Sequence, residues 1–400
     1  MPTTLLAFNP ARAPGPLAAR AADIAPAIAS RAIEANRLRR MPDADLEAMR
    51  AAGLTRILQP KRCGGLELSL HEHLDAVAAI AEGCGSTGWC LGVYHAHAWL
   101  MGLFGQQAQD DVYAAKPETL LGAVLVPKGE TERASGGWTL RGTWGFCSGV
   151  HHADWAILGA MASNPTTGTA ESALMLVPRA DFQIKEDWVV TGLSGTGSNS
   201  VVVSGSFVPD HRVIWMSEAG EGRAPGAGLH ASALYRAAMV PALALFISSP
   251  AIGMARHALK AFIERLPGRV VAYTFGEKQR DMAITHIQLA QAATKIDTAH
   301  AMLHAMIDEM EHSAAAGAQM PMVRRAKARM DCAQAVRLCL EAVETLHYAS
   351  GGSALSETNA IQLAARDIRA ANMHGVLHLE TTQEMYGRAL LGLPPSSPVI

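Results

Sequence analysis

The 400-residue chain lacks the features of several large protein classes. Its formal net charge is −2 and it contains no basic tract, which argues against nucleic-acid binding. Aromatic residues make up only 5 % of the chain, so platforms for stacking bases are not expected. The six cysteines form no C-x-x-C pair, and we predict a reduced, cytoplasmic protein. No apolar stretch precedes a cleavage site near the N-terminus, so no secretory signal is predicted.

Motifs for nucleotides, metals and membranes are also scarce. Gly195 and Gly197 form half of a dinucleotide fingerprint, but a strand follows them, so a turn or loop is predicted. There is no Walker A sequence and no G-x-S-x-G elbow. The most apolar run, 237–253, is interrupted by prolines and serines, which favours a buried helix over a membrane span. No metal site is predicted, because the short histidine pairs lack the glutamate of H-E-x-x-H; these are His71/His73, His95/His97, His151/His152 and His374/His378.

Apolar periodicity divides the chain into α, β and α regions. After a loose arm over 1–19, helices are predicted over 21–40, from Asp43 or Asp45 to Ala52, over 66–81 and over 83–104. Short β-branched runs separated by Gly, Pro and Asn predict an antiparallel β region over about 121–213. A Gly- and Pro-rich loop over 217–229 precedes four long helical patterns, which predict an antiparallel bundle. These patterns span Ser232–Glu264, Asp281–Ser313, Val323–Ser350 and Ser356–Leu391.

The predicted fold class is therefore α+β and mostly α, in three domains. A helical domain covers 1–120, a β domain covers 121–215, and a helical bundle covers 216–400. The 83–104 helix is apolar on nearly all sides, so it is expected to be buried. We expect His95 on this helix to be neutral and bonded to a backbone carbonyl.

Two groups of residues are candidates for chemistry. In the first, Trp144 and Phe146 can wall a flat heterocycle, and the Ser148 hydroxyl can donate to a ring nitrogen or to an oxygen bound to it. The alternative is a core strand whose serine only caps a turn. The second group follows Arg366, where one predicted helix places His374 and His378 on one face.

Gly375 lies between these histidines and suggests that a flat ligand packs close to the helix backbone. The alternative is a core helix with two hydrogen-bonded histidines. An internal ion-pair network is expected among the charged residues before them, which are Arg366, Asp367 and Arg369.

The order of motifs along nearly the whole chain resembles the acyl-CoA dehydrogenase fold. The matching stretches are FCSGVHHADWAILGA, GLSGTGSNSVVVSGSFVPDHRV, SPAIGMARHAL, YTFGEKQ, ASGGSAL and LAARDIRA. The resemblance implies an N-terminal helical domain, a middle antiparallel β domain and a C-terminal four-helix bundle. It also implies a homo-oligomer, usually a tetramer, with flavin near the subunit interfaces.

Two departures from the dehydrogenase pattern narrow the subfamily. The catalytic Glu that often follows the Arg-Asp pair would fall at Gly375, and Ile247–Leu259 offers no carboxylate in its place. In the flavin-contacting R-x-Q-F-G element, only Phe275 and the following glycine remain, which favours FMN over FAD. An acyl-CoA dehydrogenase with a relocated base is the alternative function.

The chain is instead similar to the oxygenase components of two-component flavin-dependent monooxygenases. This resemblance implies hydroxylation of a small phenol- or indole-type substrate with O2 through a flavin C4a-hydroperoxide. A separate NAD(P)H-flavin reductase would supply FMNH2, with FADH2 as the other possibility. By this resemblance His374 is the acid/base, Ser148 bonds the flavin near N5, and His97 is a further catalytic residue. The implied flavin contacts are Trp144, Phe146, Ser148, Arg236, Phe275, Gly351 and Gly352, and the implied substrate contacts are Trp89, His97, His374 and His378.

Overall fold

The computed structural model describes residues 13–397, so most of the predicted N-terminal arm lies outside the described residues. Six helices come first: α1 (Pro16–Ala29), α2 (Ala32–Leu38), α3 (Asp43–Ala51), α4 (Leu70–Gly83), α5 (Gly85–Met101) and α6 (Gln106–Tyr113). The prediction of one helix over 21–40 is wrong. The helix begins earlier, at Pro16, and stops at Ala29. The Ser30 hydroxyl donates to Ala27 O at 2.7 Å, and such local bonds compete with helix continuation.

Helix α5 is buried along its length, as its apolar composition predicts. Every residue of α5 after Gly85 is buried, because the helix packs between α4 and the first long helix of the bundle. Gly92 permits this close approach. A Cβ atom there would lie 2.6 Å from Phe246 O, well inside van der Waals contact.

Seven strands form the middle sheet: β1 (Leu121–Ala134), β2 (Gly137–Trp144), β3 (Trp155–Ser163), β4 (Ala170–Pro178), β5 (Gln183–Lys185), β6 (Ser200–Pro209) and β7 (Val213–Trp215). Their order is β5-β6-β2-β1-β3-β4-β7. The prediction of an antiparallel region is wrong at one pairing, because β1 and β3 run parallel. Strand β1 is long enough to pair with β2 through its second half and mainly with β3 through its first half. The turn after β2 returns the chain to the start of β1, so β3 begins beside Leu121.

Alternate residues of the central strands face two different cores. In β3 and β4, Ile157 and Leu174 pack into the large core shared with the helices. Their neighbours Leu158 and Met175 pack into a second core within the β region. Both faces of these strands are therefore covered, which explains their nearly continuous apolar sequence.

The C-terminal region contains α7 (Met216–Gly220), α8 (Met239–Arg265), α9 (Ala283–Ala315), α10 (Met322–Ala349), α11 (Ala360–Asn372) and α12 (Leu379–Leu390). Within the described residues, the segment Met239–Gly268, which includes α8, is the one helical stretch long and apolar enough to cross a membrane. However, 83 % of its most apolar window is buried inside the protein, as expected of a core helix. Helix α10 packs on α8, α9, α11 and α12 and so occupies the centre of this region.

The last predicted helix, 356–391, is interrupted. Helix α11 ends at Asn372, a short 3-10 turn covers Gly375–Leu377, and α12 starts at Leu379. His374 and His378 both have extended backbone angles, so they do not share a helix face as predicted. Arg329 of α10 stabilises the break, because its guanidinium donates to Val376 O at 3.0 Å. This bond satisfies a carbonyl that a continuous helix would have used.

Candidate active site

Ser148 lies in the turn that follows β2. Gly149 has a φ of 70°, and a Cβ atom there would lie 2.5 Å from the Tyr94 hydroxyl oxygen. Only glycine satisfies both the left-handed backbone and this close contact. The turn is fixed to the segment before β6, because Gly149 N donates to Thr196 O at 2.8 Å and Cys147 N donates to Asn199 O at 3.2 Å.

The two aromatic residues predicted to wall the flavin have opposite environments. Trp144 is completely buried in the β core, and its Nε1 donates to Gly159 O at 2.8 Å. It therefore presents no surface to a ligand, and the structure does not support its predicted contact. Phe146 is 74 % exposed beside Trp188, with ring centroids 5.6 Å apart. Together with the exposed Val189, these rings form an apolar surface next to Ser148 that a flat ring system could cover.

A chain of hydroxyl groups leads away from Ser148. Its Oγ lies 2.7 Å from Ser198 Oγ, which lies 2.6 Å from Thr196 Oγ1. Thr196 donates to Leu193 O at 2.8 Å. Each hydroxyl has one proton, so this last bond makes Ser198 donate to Thr196 and Ser148 donate to Ser198.

Ser148 also accepts a hydrogen bond from Trp89 Nε1 at 3.2 Å. A hydroxyl oxygen can accept two hydrogen bonds, so one acceptor position remains for a ligand. Because its proton is already donated to Ser198, Ser148 can only accept a hydrogen bond from a ligand. The sequence did not mark Thr196 and Ser198 as site residues, although both stand in the G-T-G-S-N string, for which a turn or loop is predicted.

Trp89 connects Ser148 to His374. The Trp89 and His374 rings lie 5.9 Å apart, so three of the predicted site residues come together. Desolvation, with a contribution from the Arg329 charge, lowers the pKa of His374 to about 4. The residue is nevertheless exposed to solvent. Its lowered pKa makes the imidazole neutral at neutral pH.

Hydrogen bonds assign different proton positions to the two candidate histidines. Val376 N donates to His374 Nδ1 at 3.3 Å, which leaves the proton of the neutral ring on Nε2. His97 has the opposite arrangement, because its Nδ1 lies 2.6 Å from Leu121 O and must donate to it. Its Nε2 therefore carries a lone pair, and burial lowers the pKa of His97 to about 4, against the effect of the Leu121 bond.

His97 stands on α5 two turns beyond Trp89 and is buried. Its neighbour His95 is also buried and bonds to Leu54 O at 2.6 Å, which confirms the prediction of a carbonyl partner.

The other predicted contacts do not join this group within the described residues. His378 is exposed and bonds to Thr381 at 3.0 Å, and Arg236 is exposed and donates to Ala314 O at 3.4 Å. Phe275, Gly351 and Gly352 are exposed and lie in two segments between helices. The bond from Gln279 Nε2 to Ala349 O, 2.8 Å long, joins residues that flank these two segments.

The predicted ion-pair network in α11 is wrong. Asp367 is buried and accepts a hydrogen bond from Leu193 N at 2.7 Å, while Arg369 pairs with Glu344 at 3.3 Å. Burial raises the pKa of Asp367 to about 6, although the Leu193 bond favours the carboxylate. Asp367 thus fixes α11 to the segment that carries Thr196 and Ser198.

Comparisons with known proteins agree with this architecture. Residues 19–116 match the model for the N-terminal domain of acyl-CoA dehydrogenase, and residues 245–378 match the model for its C-terminal domain. The oxygenase subunit HsaA of a flavin-dependent monooxygenase from Rhodococcus jostii is 34 % identical over 369 residues, which is 92 % of this chain and 96 % of that protein.

Two further relatives are similar over nearly their whole length. The oxygenase component of an FADH2-dependent resorcinol hydroxylase from Rhizobium sp. is 31 % identical and covers 95 % of both chains. The solved structure of XiaF from Streptomyces sp. in complex with FADH2 and glycerol superposes with a TM-score of 0.88, at 29 % identity, over 96 % of this chain and 97 % of that one. The chain therefore belongs to the flavin-dependent monooxygenases with the acyl-CoA dehydrogenase fold, as an oxygenase component.

Proposed function

We propose that this oxygenase hydroxylates a small phenol- or indole-type compound with O2. Reduced flavin reaches it from a separate NAD(P)H-flavin reductase and, when bound, supplies the oxygen chemistry through a C4a-hydroperoxide. The grouping of Ser148, Trp89 and His374 carries the proposal, since it joins a hydrogen-bond acceptor, an apolar wall and an imidazole. The resorcinol hydroxylase among the relatives supports an aromatic substrate.

Ser148 would hold the flavin at N5. In reduced flavin N5 carries a hydrogen, and Ser148 has one acceptor position left to receive it. Phe146 and Val189 would cover one side of the ring system and keep water from it, which limits unproductive release of hydrogen peroxide.

His374 would act on the substrate. Its Nε2–H can donate to a phenol oxygen, and the tautomer with the proton on Nδ1 can remove the phenol proton. When the His374 proton moves to Nδ1, the 3.3 Å hydrogen bond from Val376 N is lost. His97 offers a second acceptor in its Nε2 lone pair, in keeping with its predicted catalytic and substrate-binding roles.

The predicted preference for FMNH2 over FADH2 stays a prediction. One relative is named an FADH2-dependent hydroxylase and XiaF was solved in complex with FADH2, which supports testing both flavins. The second set of predicted contacts, around Phe275 and Gly351, would reach a flavin across the interface between two copies of the chain. We retain the predicted homotetramer for this reason.

Rapid mixing tests the proposal. Protein preloaded with reduced flavin is mixed with oxygenated buffer, and absorbance is followed with and without a phenol. We expect a long-lived oxygenated intermediate that decays at least about tenfold faster in Ser148→Ala, the effect of losing one hydrogen bond of about 1.4 kcal/mol. Ser194→Ala is the matched control, because Ser194 donates to Val190 O, outside the hydroxyl chain.

Immediate reoxidation without an intermediate, together with bleaching of bound oxidised FAD by an acyl-CoA, would contradict the proposal. That outcome would favour the alternative function, an acyl-CoA dehydrogenase with a relocated base.

A further inference from the structure

A second group of side chains with ligand chemistry lies between α4 and α9. Asp75 belongs to α4, and His300 and His304 stand one turn apart on α9. The three side chains are only 15 %, 19 % and 18 % exposed, so they are shielded but open to small solutes. Within residues 13–397, none of them bonds to Ser148, Trp89 or His374.

Three atoms of this group converge on one point. His300 Nε2 lies 2.9 Å and His304 Nε2 lies 3.2 Å from Asp75 Oδ1, and the two nitrogens are 3.0 Å apart. Metal bonds of about 2.0–2.2 Å place neighbouring ligand atoms about 2.9–3.4 Å apart. The triangle therefore has the size of one face of a coordination sphere, and two imidazoles with one carboxylate suit a divalent first-row ion.

The hydrogen bonds behind the triangle also fit a metal-bound His304. Its Nδ1 lies 2.7 Å from His71 Nδ1, and His71 Nε2 lies 2.9 Å from Asp308 Oδ1. With an ion on Nε2, His304 donates from Nδ1 to His71, which donates to the Asp308 carboxylate. Chains of this kind commonly orient metal-bound histidines.

One cation opposes binding. Arg256 of α8 donates to His300 Nδ1 at 3.2 Å, whereas a metal on His300 Nε2 needs a proton on that Nδ1. The guanidinium must therefore move when the ion binds. Two acidic groups of α9 favour a cation instead, because Asp308 and Glu311 both face α4. Asp308 lies beside His71, and Glu311 accepts a hydrogen bond from Leu70 N at 2.8 Å.

We propose that Asp75, His300 and His304 bind one divalent first-row transition-metal ion that joins α4 to α9. The ion completes its coordination with water. This site departs from the sequence-based expectation of no metal, because Asp75 is far from the two histidines along the chain and no short motif joins the three residues.

Cobalt binding tests the proposal independently of flavin chemistry. Untagged full-length protein is treated with a chelator and titrated with Co²⁺, followed by visible absorption and calorimetry. We expect one equivalent per chain, and an affinity at least about tenfold weaker in His300→Ala and in His304→Ala. His312→Ala is the matched control, since His312 is exposed on the same helix. Arg256→Met should bind Co²⁺ more tightly than the wild type.

Unchanged affinity in both histidine variants, or no saturable cobalt band in the wild type, would overturn the site. If the variants do not fold, wild-type crystals soaked in Co²⁺ decide by anomalous scattering. A peak between α4 and α9 supports the proposal, and its absence there refutes it.

Discussion

At the scale of single residues, the Ser148 hydroxyl is defined by the direction of its hydrogen bonds. Thr196 donates to Leu193 O. Ser198 must therefore donate to Thr196, and Ser148 must donate to Ser198. Ser148 is left as an acceptor, which suits the N5–H of reduced flavin and not the bare N5 of oxidised flavin. The hydroxyl chain thus gives a residue-level reason for preferring reduced flavin.

Removing one link should weaken this preference. In Ser198→Ala the Ser148 proton is free to turn toward the flavin, so oxidised flavin gains a hydrogen bond. We expect the ratio of the two dissociation constants to fall by about tenfold, equivalent to about 1.4 kcal/mol. Anaerobic titration with reduced flavin and aerobic titration with oxidised flavin measure it.

Thr196→Ser is the control for this prediction, because it keeps the hydroxyl that orders the chain. An unchanged ratio in Ser198→Ala would show that the direction of the chain does not select the redox state. Failure of the wild type to bind reduced flavin would instead contradict the proposed function.

The pH dependence of turnover follows from His374. Desolvation and the Arg329 charge lower its pKa, so the ring is neutral above about pH 6 and becomes protonated as pH falls toward 4. We expect kcat/KM to be flat near neutrality and to decline only below pH 6, beneath the ordinary histidine range. A pH profile at saturating reduced flavin measures this. An acid limb at pH 6.5 or above, or one that persists in His374→Asn, would contradict the assignment.

At the scale of elements, α11 supports the candidate site, because its Asp367 bonds to the segment that carries the hydroxyl chain. This carboxyl fixes the Leu193 amide, and Leu193 in turn receives the last proton of the hydroxyl chain. Helix α11 therefore orders the segment before β6. The break after α11 serves the site as well, because it places His374 beside Trp89 of α5.

Stability should depend on pH through Asp367. Burial raises its pKa to about 6 in the folded protein, from 3.8 in the reference state. The folded state therefore holds the proton more tightly than the unfolded state. The resulting stabilisation is fully present below pH 3.8 and is lost as pH rises through 6. The loss amounts to about 3 kcal/mol at most.

Asp367→Asn removes this titration. The free energy of unfolding of the variant, relative to that of wild type, should therefore be larger at pH 8 than at pH 5. Denaturation at both pH values measures the change, and Asp23→Asn on the exposed face of α1 is the control. Equal shifts in the two variants would exclude the buried carboxyl as the cause.

At the scale of the whole molecule, the predicted flavin contacts occupy two separate places. Arg265 at the end of α8 donates to Ser350 O, beside Gly351. Met254 lies 11 residues earlier on α8, about 16 Å along the axis, and packs against Gly85 at the start of α5. The loop with Gly351 is therefore about 16 Å farther along α8 than the start of α5, as expected if a second copy completes the site.

This arrangement predicts both assembly and a remote effect on flavin. We expect a particle of about 170 kDa in sedimentation, for four chains of 42.3 kDa. Phe275→Ala should weaken flavin binding although Phe275 is remote from Ser148. A monomer in solution, or unchanged affinity in Phe275→Ala, would contradict a site shared between subunits. Leu229→Ala, another exposed apolar position outside these loops, is the control.

The sequence alone determined the α-β-α order, the burial of α5 and the candidates Ser148, Trp89 and His374. The order and the burial follow from apolar periodicity, which is a local property, and the three candidates follow from the motifs that carry the family resemblance. It did not determine the parallel pairing of β1 with β3, which depends on a long strand meeting two partners.

Only the tertiary structure decided which candidates meet and in which protonation state. Trp144 is apolar and near Ser148 in sequence, yet packing turns it into the β core. The hydroxyl chain links Ser148 to the distant segment with Thr196 and Ser198, and the second triangle links Asp75 to the distant pair His300 and His304, so no local pattern predicts either group. Proton positions on His374 and His97 depend on single backbone groups, Val376 N and Leu121 O, whose places are set by the folded chain.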